Sequence, residues 1–312
     1  MILFYGRTQG NSGPDNVNRA VYGHLGTKFL PAGKGGVLRD LKALRGCGTL
    51  LVSGLSRRGC LLTWAAKILG KRTVYLLHGC AVWEGEVNGL DNAGPARQER
   101  YLLSRCDRIV TVSRSYRDFL ALRYPQYGEK LDFWYPGIPA LSAGCGREKL
   151  PGTIVAAGAD RPLKNNRALA RAVEELDGAF SLEICGAACH GGAFGELRHS
   201  RYLGLLPQPC YWEKLDRTEI FVVNSTRESF GISALEALAR GCSLLVSREA
   251  GVRELLALEQ TDIIEDPLDT EELKAKLLWI HAHPNHSRLS LPGRTWAEAV
   301  AELACLCEGG CS

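Results

Sequence analysis

Two carboxylates and a helix start within residues 228–241 could together hold a nucleotide. Glu228 precedes a short helical pattern, and Glu236 lies inside it with seven residues between the two. The N–H groups at a helix N-terminus bind anions such as phosphate. Glu236 would lie about 9 Å from that end, where a carboxylate can accept two hydrogen bonds from the vicinal diol of a ribose. Glu228 would then meet hydroxyl groups beyond the phosphates, such as those of the sugar in a nucleotide sugar.

The same two residues also have an interpretation without a ligand. Glutamates are common in helices, so Glu236 could be an exposed helix residue. Glu228 could do no more than interact favourably with the helix dipole. Spacing alone does not decide between a binding site and an ordinary helix.

The flanking sequence predicts a βαβ unit around these carboxylates. Apolar runs at residues 220–223 and 244–246 predict two strands. Between them, Ile232, Leu235 and Leu238 recur at helical spacing, and Gly241 follows the last turn, where a left-handed residue ends helices. The carboxylates therefore flank the start of a helix between two parallel strands.

Residues 224–256 closely resemble the signature of retaining GT-B glycosyltransferases of the family 4, or group 1, type. This large family builds bacterial polysaccharides and glycolipids. Its motif is a glutamate, seven residues and a second glutamate, which Glu228 and Glu236 match. Asn224 and Ser225 stand where the family usually has Pro-Ser, and residues 251–254 stand where it has a Gly-Gly-x-x-Glu turn. The resemblance extends over nearly the whole chain and is strongest in residues 158–254.

A lysine near the end of a predicted strand is the candidate cation for a diphosphate. Lys164 comes just before a predicted helix, where it could neutralise phosphate charge or simply be solvated. The family has a Gly-Arg pair and a later lysine here, and Gly158 and Lys164 match them. Ala159 stands at the arginine position, so Arg161 is the candidate to replace that charge.

The resemblance implies roles for further residues. His78 follows a predicted strand, where ligands gather in parallel sheets but histidines also cap or pack. In the family, a histidine at this place faces the donor sugar, so His78 and Glu228 would orient that sugar. The remaining implied contacts are the backbone near Leu206 with the base, Glu236 with the ribose, Gly13 in a glycine-rich first loop lining the site, and the amides of Phe230, Gly231, Ile232 and Ser233 with the phosphates.

Strand and helix patterns alternate along the chain and predict parallel sheets covered by helices. The expected fold class is α/β of the GT-B kind, with two Rossmann-like doubly wound domains facing a central cleft and a C-terminal helix crossing back to the first. We expect an acceptor-side domain at residues 1–136, a donor domain at 137–290 and the returning helix at 291–312. In detail, we expect Glu84 and Glu86 in a loop, a linker at residues 140–151 with a hinge near Pro136, and a strand at 202–206.

Composition excludes some classes of protein. The chain has 312 residues, 46% hydrophobic and 23% charged, which suits a soluble enzyme with two cores. A net charge of +4 without a dense basic block does not imply nucleic acid, although it allows weak attraction to anionic lipid surfaces. We find no signal peptide or membrane-spanning run and expect a cytoplasmic protein, at most contacting the inner face of the membrane. The twelve scattered cysteines predict reduced thiols and no metal site.

The sequence thus predicts a glycosyltransferase that moves a sugar from a nucleoside diphosphate sugar to a glycan or lipid-linked acceptor in cell-surface polysaccharide synthesis. The resemblance implies retention of configuration, no metal or other cofactor, and a front-face mechanism in which the leaving phosphate helps deprotonate the acceptor. Two alternatives stay open. One is a nucleotide-sugar epimerase of the same fold, which would need acid and base groups such as His78. The other is a non-catalytic GT-B binding partner, which Ala159 favours slightly.

Overall fold

The computed structural model describes residues 1–10, 12–32, 36–138, 148–192, 194 and 197–310 of the 312-residue chain. These residues belong to two compact units. Unit 1 comprises Met1–Gly137 and Arg294–Ser312, and unit 2 comprises Ile138–Gly293. Each unit is built on its own parallel sheet.

Unit 1 has a six-stranded parallel sheet among its described residues. Its strands are β1 (Ile2–Gly6), β2 (Lys28–Pro31), β3 (Thr49–Ser53), β4 (Arg72–Leu77), β5 (Arg108–Thr111) and β6 (Leu131–Phe133), in the order β2-β1-β3-β4-β5-β6. Its first helices are α1 (Gly13–Leu25), α2 (Val37–Arg45), α3 (Arg57–Ile68), α4 (Ala81–Asn88), α5 (Ala93–Arg105) and α6 (Arg114–Arg123), followed by a 3-10 helix at Pro125–Lys130. The inner strands β1 and β3 are buried along their whole length because helices cover both faces of the sheet.

Unit 2 repeats this architecture. Its strands are β7 (Leu150–Ala157), β8 (Ser181–Cys185), β9 (Ser200–Gly204), β10 (Thr218–Val223), β11 (Ser243–Ser247) and β12 (Ile263–Ile264), in the order β12-β11-β10-β7-β8-β9 within the described residues. Its helices are α7 (Asn166–Glu175), α8 (Gln208–Arg217), α9 (Ile232–Ala239) and α10 (Thr270–Ala282), with 3-10 helices at Pro162–Lys164, Gly251–Leu255 and Gln260–Asp262. The strand order reverses between β7 and β10, and ligands bind at such switch points in doubly wound sheets.

The last helix, α11 (Trp296–Glu308), packs in unit 1 although it follows unit 2 in the chain. A capping box starts it: Thr295 accepts from the amide of Glu298, whose carboxylate accepts from the amide of Thr295. The indole Nε1 of Trp134 donates to the carbonyl of Ala299 at 2.6 Å and fixes the helix in this position. The returning C-terminal helix of the predicted fold class is therefore present.

The predicted loop around Glu84 and Glu86 is wrong, because both residues lie in α4. The N-cap of this helix, Cys80, makes no side-chain cap. Instead, the buried carboxylate of Glu99 in α5 accepts from the amides of Ala81 and Val82 at 2.8 and 3.0 Å. The helix start is thus stabilised by a tertiary contact, which local sequence does not reveal.

Two predicted segments in unit 2 need correction. The predicted linker overlaps β7, which already includes Leu150 and Pro151. The register of β7 with β10 shifts just after Leu150, and proline is tolerated at such irregularities because a ladder hydrogen bond is already missing. Residues 139–147, where most of that linker falls, lie outside the described residues. The strand predicted at 202–206 ends earlier, at Gly204, whose φ of 74° breaks the extended backbone.

The boundaries between the two units lie between Gly137 and Ile138 and between Gly293 and Arg294. The predicted changes were after residues 136 and 290. The first difference is one residue and the second is three, and both fall outside helices and strands.

Candidate functional site

Lys164 is positioned by a tight turn at the end of β7. Gly158 has a φ of 102° and Ala159 a φ of 54°, both in the left-handed region. A Cβ added to Gly158 would lie 2.4 Å from Cγ of Lys164, so only glycine fits beneath this side chain. The glycine and the lysine of the family pattern are therefore in direct contact.

The ammonium group of Lys164 pairs with the carboxylate of Glu228, 64 residues later in the chain. The two side chains are 21% and 14% exposed, so both keep access to solvent. Ser225 Oγ also donates to Glu228 Oε2, at 3.3 Å. The amide of Glu228 donates to the carbonyl of Glu249, and its own carbonyl accepts from the amide of Gly251. These backbone contacts hold the carboxylate in place beside the lysine.

The start of α9 lies next to this ion pair. Gly231 is the N-cap, with a φ of 96°, and a Cβ added there would lie 3.3 Å from Cγ of Glu228. The N-cap offers no side-chain acceptor. In the part of the chain that the structure describes, the amides of Ile232 and Ser233 have no acceptor either. Phe230 is buried, and its carbonyl accepts from the amide of Val252 at 2.6 Å, which fixes the turn before the helix. The role predicted for its amide stays a prediction.

Glu236 is half-buried in α9 and has an altered acidity. Desolvation raises the pKa of its carboxyl to about 7, and the nearby charge of Arg240 opposes this shift. Tyr211 in α8 is close enough that burial and then the charge of Glu236 raise the pKa of its hydroxyl well above its ordinary value. The hydroxyl oxygen of Tyr211 is buried without a hydrogen-bond partner among the described residues. Poorly solvated, unpartnered groups of this kind are typical of ligand-binding sites.

The side chains of two other candidates in unit 2 do not join the ion pair. The carbonyl of Arg161 accepts from the amide of Lys164 at 2.9 Å, but its exposed side chain makes no hydrogen bond or ion pair to Lys164 or Glu228 in the described residues. Ala159, at the arginine position of the family pattern, is fully buried and has a φ of 54°. Leu206 is half-buried and lies two residues beyond the end of β9. The roles predicted for Arg161 and Leu206 stay predictions.

In unit 1, His78 follows β4 and belongs to a polar cluster. Its Nε2 lies 2.9 Å from Ser53 Oγ and 3.3 Å from Asn18 Oδ1. Ser53 Oγ donates to Asn18 Oδ1 at 2.6 Å, and Asn18 Nδ2 donates to the carbonyl of Arg7 at 2.9 Å. Burial lowers the pKa of His78 to about 4, although the charge of Asp15 acts in the opposite direction. The imidazole is therefore neutral at pH 7.

Gly13 opens α1, directly after the N-cap Ser12. The amide of Asp15 donates to Ser12 Oγ, and the carboxylate of Asp15 accepts from the amide of Ser12. Asp15 also pairs with Arg7 at 2.6 Å. A carboxylate thus already lies at this helix start, which reduces its attraction for a phosphate compared with the start of α9.

Several polar residues at these sites were not among the sequence candidates. Ser225 adjoins Glu228 in the signature and could have been found there. Ser53 ends β3, which neighbours β4, so the rule that ligands gather at the carboxyl ends of strands points to it beside His78. Asn18 and Tyr211 lie within helices, and no motif in the sequence marks either of them.

No helix among the described residues combines the length and the apolar character that crossing a bilayer requires. The same residues contain no group of three or more His, Cys, Asp or Glu side chains arranged to hold a metal ion.

Family models match both halves of the chain. Residues 23–140 match Glycosyltransferase Family 4, and residues 147–290 match Glycosyl transferases group 1. The chain therefore belongs to the glycosyltransferases of this two-domain family, as the signature predicts. In particular, the second match contains Lys164, Glu228 and Glu236.

Solved structures agree with this assignment at the level of the fold. HepE from Anabaena, in complex with UDP and glucose, has a TM-score of 0.67 at 12% identity, with 98% of this chain and 95% of that chain covered. An α,α-trehalose-phosphate synthase (UDP-forming) from Burkholderia xenovorans has a TM-score of 0.68 at 11% identity, with 99% and 100% covered. The GT-B fold class is thereby confirmed.

A curated relative is similar over a shorter stretch. Mannosylfructose-phosphate synthase of Agrobacterium fabrum is 29% identical over 99 residues, which cover 29% of this chain and 22% of that protein. This match spans about a fifth of the length of that relative. It supports the family and leaves the substrates of this chain to be inferred from its own residues.

Proposed function

We propose that this protein transfers a sugar from a nucleoside diphosphate sugar to an acceptor hydroxyl, with retention of configuration and without a metal ion or other cofactor. The observation that carries the proposal is the ion pair of Lys164 and Glu228 beside the uncapped start of α9. A cation and a helix N-terminus at one point attract a diphosphate. A carboxylate next to them can accept hydrogen bonds from sugar hydroxyls.

The phosphates would be held by Lys164 and the first amides of α9. Both groups are available, because the lysine retains access to solvent and the amides of Ile232 and Ser233 lack acceptors among the described residues. An arriving phosphate would compete with Glu228 for the ammonium group. These donors also stabilise the charge that develops on the leaving diphosphate, which is where most of the rate gain is expected.

The ribose would bind Glu236, further along the same helix. Its raised pKa means that the carboxyl is only partly ionised near pH 7 in the unliganded protein. Two hydrogen bonds from a ribose diol favour the ionised form, so nucleotide binding and ionisation of Glu236 support each other. Glu228 would orient the sugar beyond the phosphates, and the family resemblance implies that the neutral His78 also contacts it.

In the proposed reaction, the bond between the anomeric carbon and the leaving phosphate oxygen breaks. The acceptor oxygen forms its bond to the same face of the sugar, which retains the configuration. The proton of the acceptor hydroxyl passes to the leaving phosphate oxygen, so the step requires no protein nucleophile. Lys164 and the start of α9 hold the departing charge throughout.

The donor and acceptor classes rest on the family. HepE was crystallised with UDP and glucose, which supports a nucleoside diphosphate sugar as the donor class here. For the acceptor, we propose a glycan or a lipid-linked saccharide of cell-surface polysaccharide synthesis. The net charge of +4 is compatible with contact to anionic lipid head groups that carry such an acceptor.

The proposal is tested by incubating the protein with a panel of nucleotide sugars, with and without saccharide acceptors, and measuring release of nucleoside diphosphate. We expect release with at least one donor and conversion of an acceptor to a retained glycoside. An epimerase would instead interconvert the donor sugar without releasing nucleoside diphosphate, and a binding partner would do neither. Absence of release with every donor at high protein concentration would refute the transferase.

A further inference from the structure

In a chain of hydrogen bonds in unit 1, the chemistry of the groups determines which atom donates and which accepts at each step. It begins at the carbonyl oxygen of Arg7, which can only accept, so the group 2.9 Å away must be the amide nitrogen of Asn18. This orients the other side-chain atom of Asn18, its oxygen, towards Ser53 and His78. Asn18 and Ser53 are each 2% exposed, so water does not compete for these bonds.

The same reasoning assigns the donor and the acceptor at the imidazole ring of His78. Ser53 has one hydroxyl hydrogen, and it goes to Asn18 Oδ1 at 2.6 Å, because that oxygen can only accept. The oxygen of Ser53 is therefore an acceptor towards His78 Nε2 at 2.9 Å. Nε2 also lies 3.3 Å from Asn18 Oδ1, a second acceptor. Both neighbours thus require a hydrogen on Nε2.

A neutral imidazole carries one N–H, so Nδ1 of His78 is left as an acceptor. The low pKa of His78, which burial causes, keeps the ring neutral at pH 7. Within the described residues, Nδ1 of His78 has no hydrogen-bond partner. The residue as a whole is half-buried, so His78 keeps some exposure at the surface of the unit.

We propose that Asn18 and Ser53 are positioning residues that hold His78 as the Nε2–H tautomer, so that Nδ1 accepts a hydrogen bond from a hydroxyl of the donor sugar. This inference rests on the proposed function and makes it more specific. His78 acts as a fixed acceptor and exchanges no proton with the substrate. It is therefore unsuited to be the acid that an epimerase would need at neutral pH.

The tautomer can be observed directly in the unmodified protein. We would label the histidines with 15N and record a two-bond 1H–15N correlation spectrum at pH 7, identifying the signals of His78 by their loss in His78→Gln. The expected result is a protonated Nε2 and an unprotonated Nδ1. A protonated Nδ1, a mixture of the two tautomers or a charged ring would overturn the inference, and this measurement requires no variant of Asn18 or Ser53.

The positioning role is tested by Ser53→Ala and Asn18→Ala, with Asn16→Ala on the same helix as the control. We expect the tautomer populations to become mixed in the first two variants and unchanged in the control. Affinity for the nucleotide sugar should fall about two- to tenfold, as for one neutral hydrogen bond, while affinity for the nucleoside diphosphate stays the same. An unchanged tautomer in both variants, or equal loss for both ligands, would contradict the positioning role.

The outcomes separate this inference from the proposed function. Transfer activity together with the opposite tautomer would remove the inference and leave the transferase intact. The predicted tautomer in a protein that binds no nucleotide sugar would refute the sugar contact together with the transferase.

Discussion

The two units carry polar clusters of opposite character. In unit 2, Lys164 and Glu228 are charged, partly exposed and paired beside a helix start. In unit 1, His78 is neutral and is held by Asn18 and Ser53, which are almost fully buried. Charge is thus concentrated where a diphosphate is expected, and fixed neutral groups lie where sugar hydroxyls are expected. Under the proposed function, the first cluster would supply electrostatic stabilisation and the second would supply orientation.

A second lysine–glutamate pair in unit 2 shows what the first pair adds. Lys214 Nζ lies 2.8 Å from Glu183 Oε2, with the two side chains 36% and 24% exposed. This pair joins β8 to α8, and Lys214 lies in the last turn of that helix. A partly exposed surface ion pair of this type contributes only about 0–1 kcal/mol to stability. The two pairs have the same chemistry and differ in their surroundings, because only Lys164 is described beside the start of α9. Variants of Lys214 and Glu183 therefore serve as matched controls.

The largest effect is expected for Glu228→Gln, which breaks the charged cluster of unit 2. This change keeps the shape of the side chain but removes the charge next to Lys164. We expect turnover to fall about 10²- to 10³-fold, as when a single group that acts in the transition state is removed. The measurement is release of nucleoside diphosphate in the transfer reaction, and Glu183→Gln should retain wild-type turnover. Equal activity of the two variants would remove Glu228 from the site.

Glu236→Gln tests the burial of a charge in unit 2. The pKa of this carboxyl is raised from 4.5 to about 7 in the folded protein, so between these values the folded state holds a proton that the unfolded state has lost. Stability is therefore lost as pH rises through this window, by up to about 3 kcal/mol. Glu236→Gln should be more stable than the wild type at pH 8 and equal to it at pH 4.

Urea unfolding at the two pH values measures this difference. Glu271→Gln, at a glutamate that is 80% exposed, provides the control and should show no such gain. If the gain of Glu236→Gln is the same at both pH values, ionisation of Glu236 is not its cause.

His78→Gln tests the neutral cluster of unit 1. Here the pH dependence of stability runs in the opposite direction to that of Glu236. The pKa of His78 is lowered from 6.5 to about 4, so between these values the unfolded state binds a proton that the folded state does not. Stability is present above this window and is lost as pH falls through it, by up to about 3 kcal/mol. His78→Gln should lose that part of the acid sensitivity between pH 7 and pH 4.

The exposed His24 of the same unit supplies the control variant His24→Gln. Urea midpoints at pH 7 and pH 4 are compared for the wild type and both variants. Wild-type acid sensitivity in His78→Gln would mean that His78 titrates normally.

The sequence predicted those parts of the molecule that local patterns encode. Alternating apolar and helical segments predicted the parallel sheets, and the resemblance to the family predicted that Gly158, Lys164 and Glu228 belong to one site. The cluster around His78 was not predictable, because its hydrogen bonds join residues 25 to 60 positions apart and belong to no motif. Likewise, the start of α4 depends on Glu99 from another helix.

The raised pKa of Glu236 is another property that local sequence patterns could not predict. Its raised pKa comes from desolvation by the protein packed around it, which the spacing between the two glutamates does not reveal. Arg161 illustrates the converse case, because closeness in sequence to Lys164 did not bring its guanidinium group into the ion pair in the described residues.

The central claim is that Lys164 and the start of α9 bind a diphosphate, and Lys164→Ala tests it most directly. Isothermal titration would compare a nucleoside with its diphosphate, using the wild type, Lys164→Ala and the control Lys214→Ala. We predict that only Lys164→Ala loses affinity for the diphosphate, by about 10- to 100-fold, as when a hydrogen bond to a charged group is removed. Binding of the nucleoside should stay unchanged in all three proteins. Equal loss for nucleoside and diphosphate, or equal behaviour of the two lysine variants, would contradict the account.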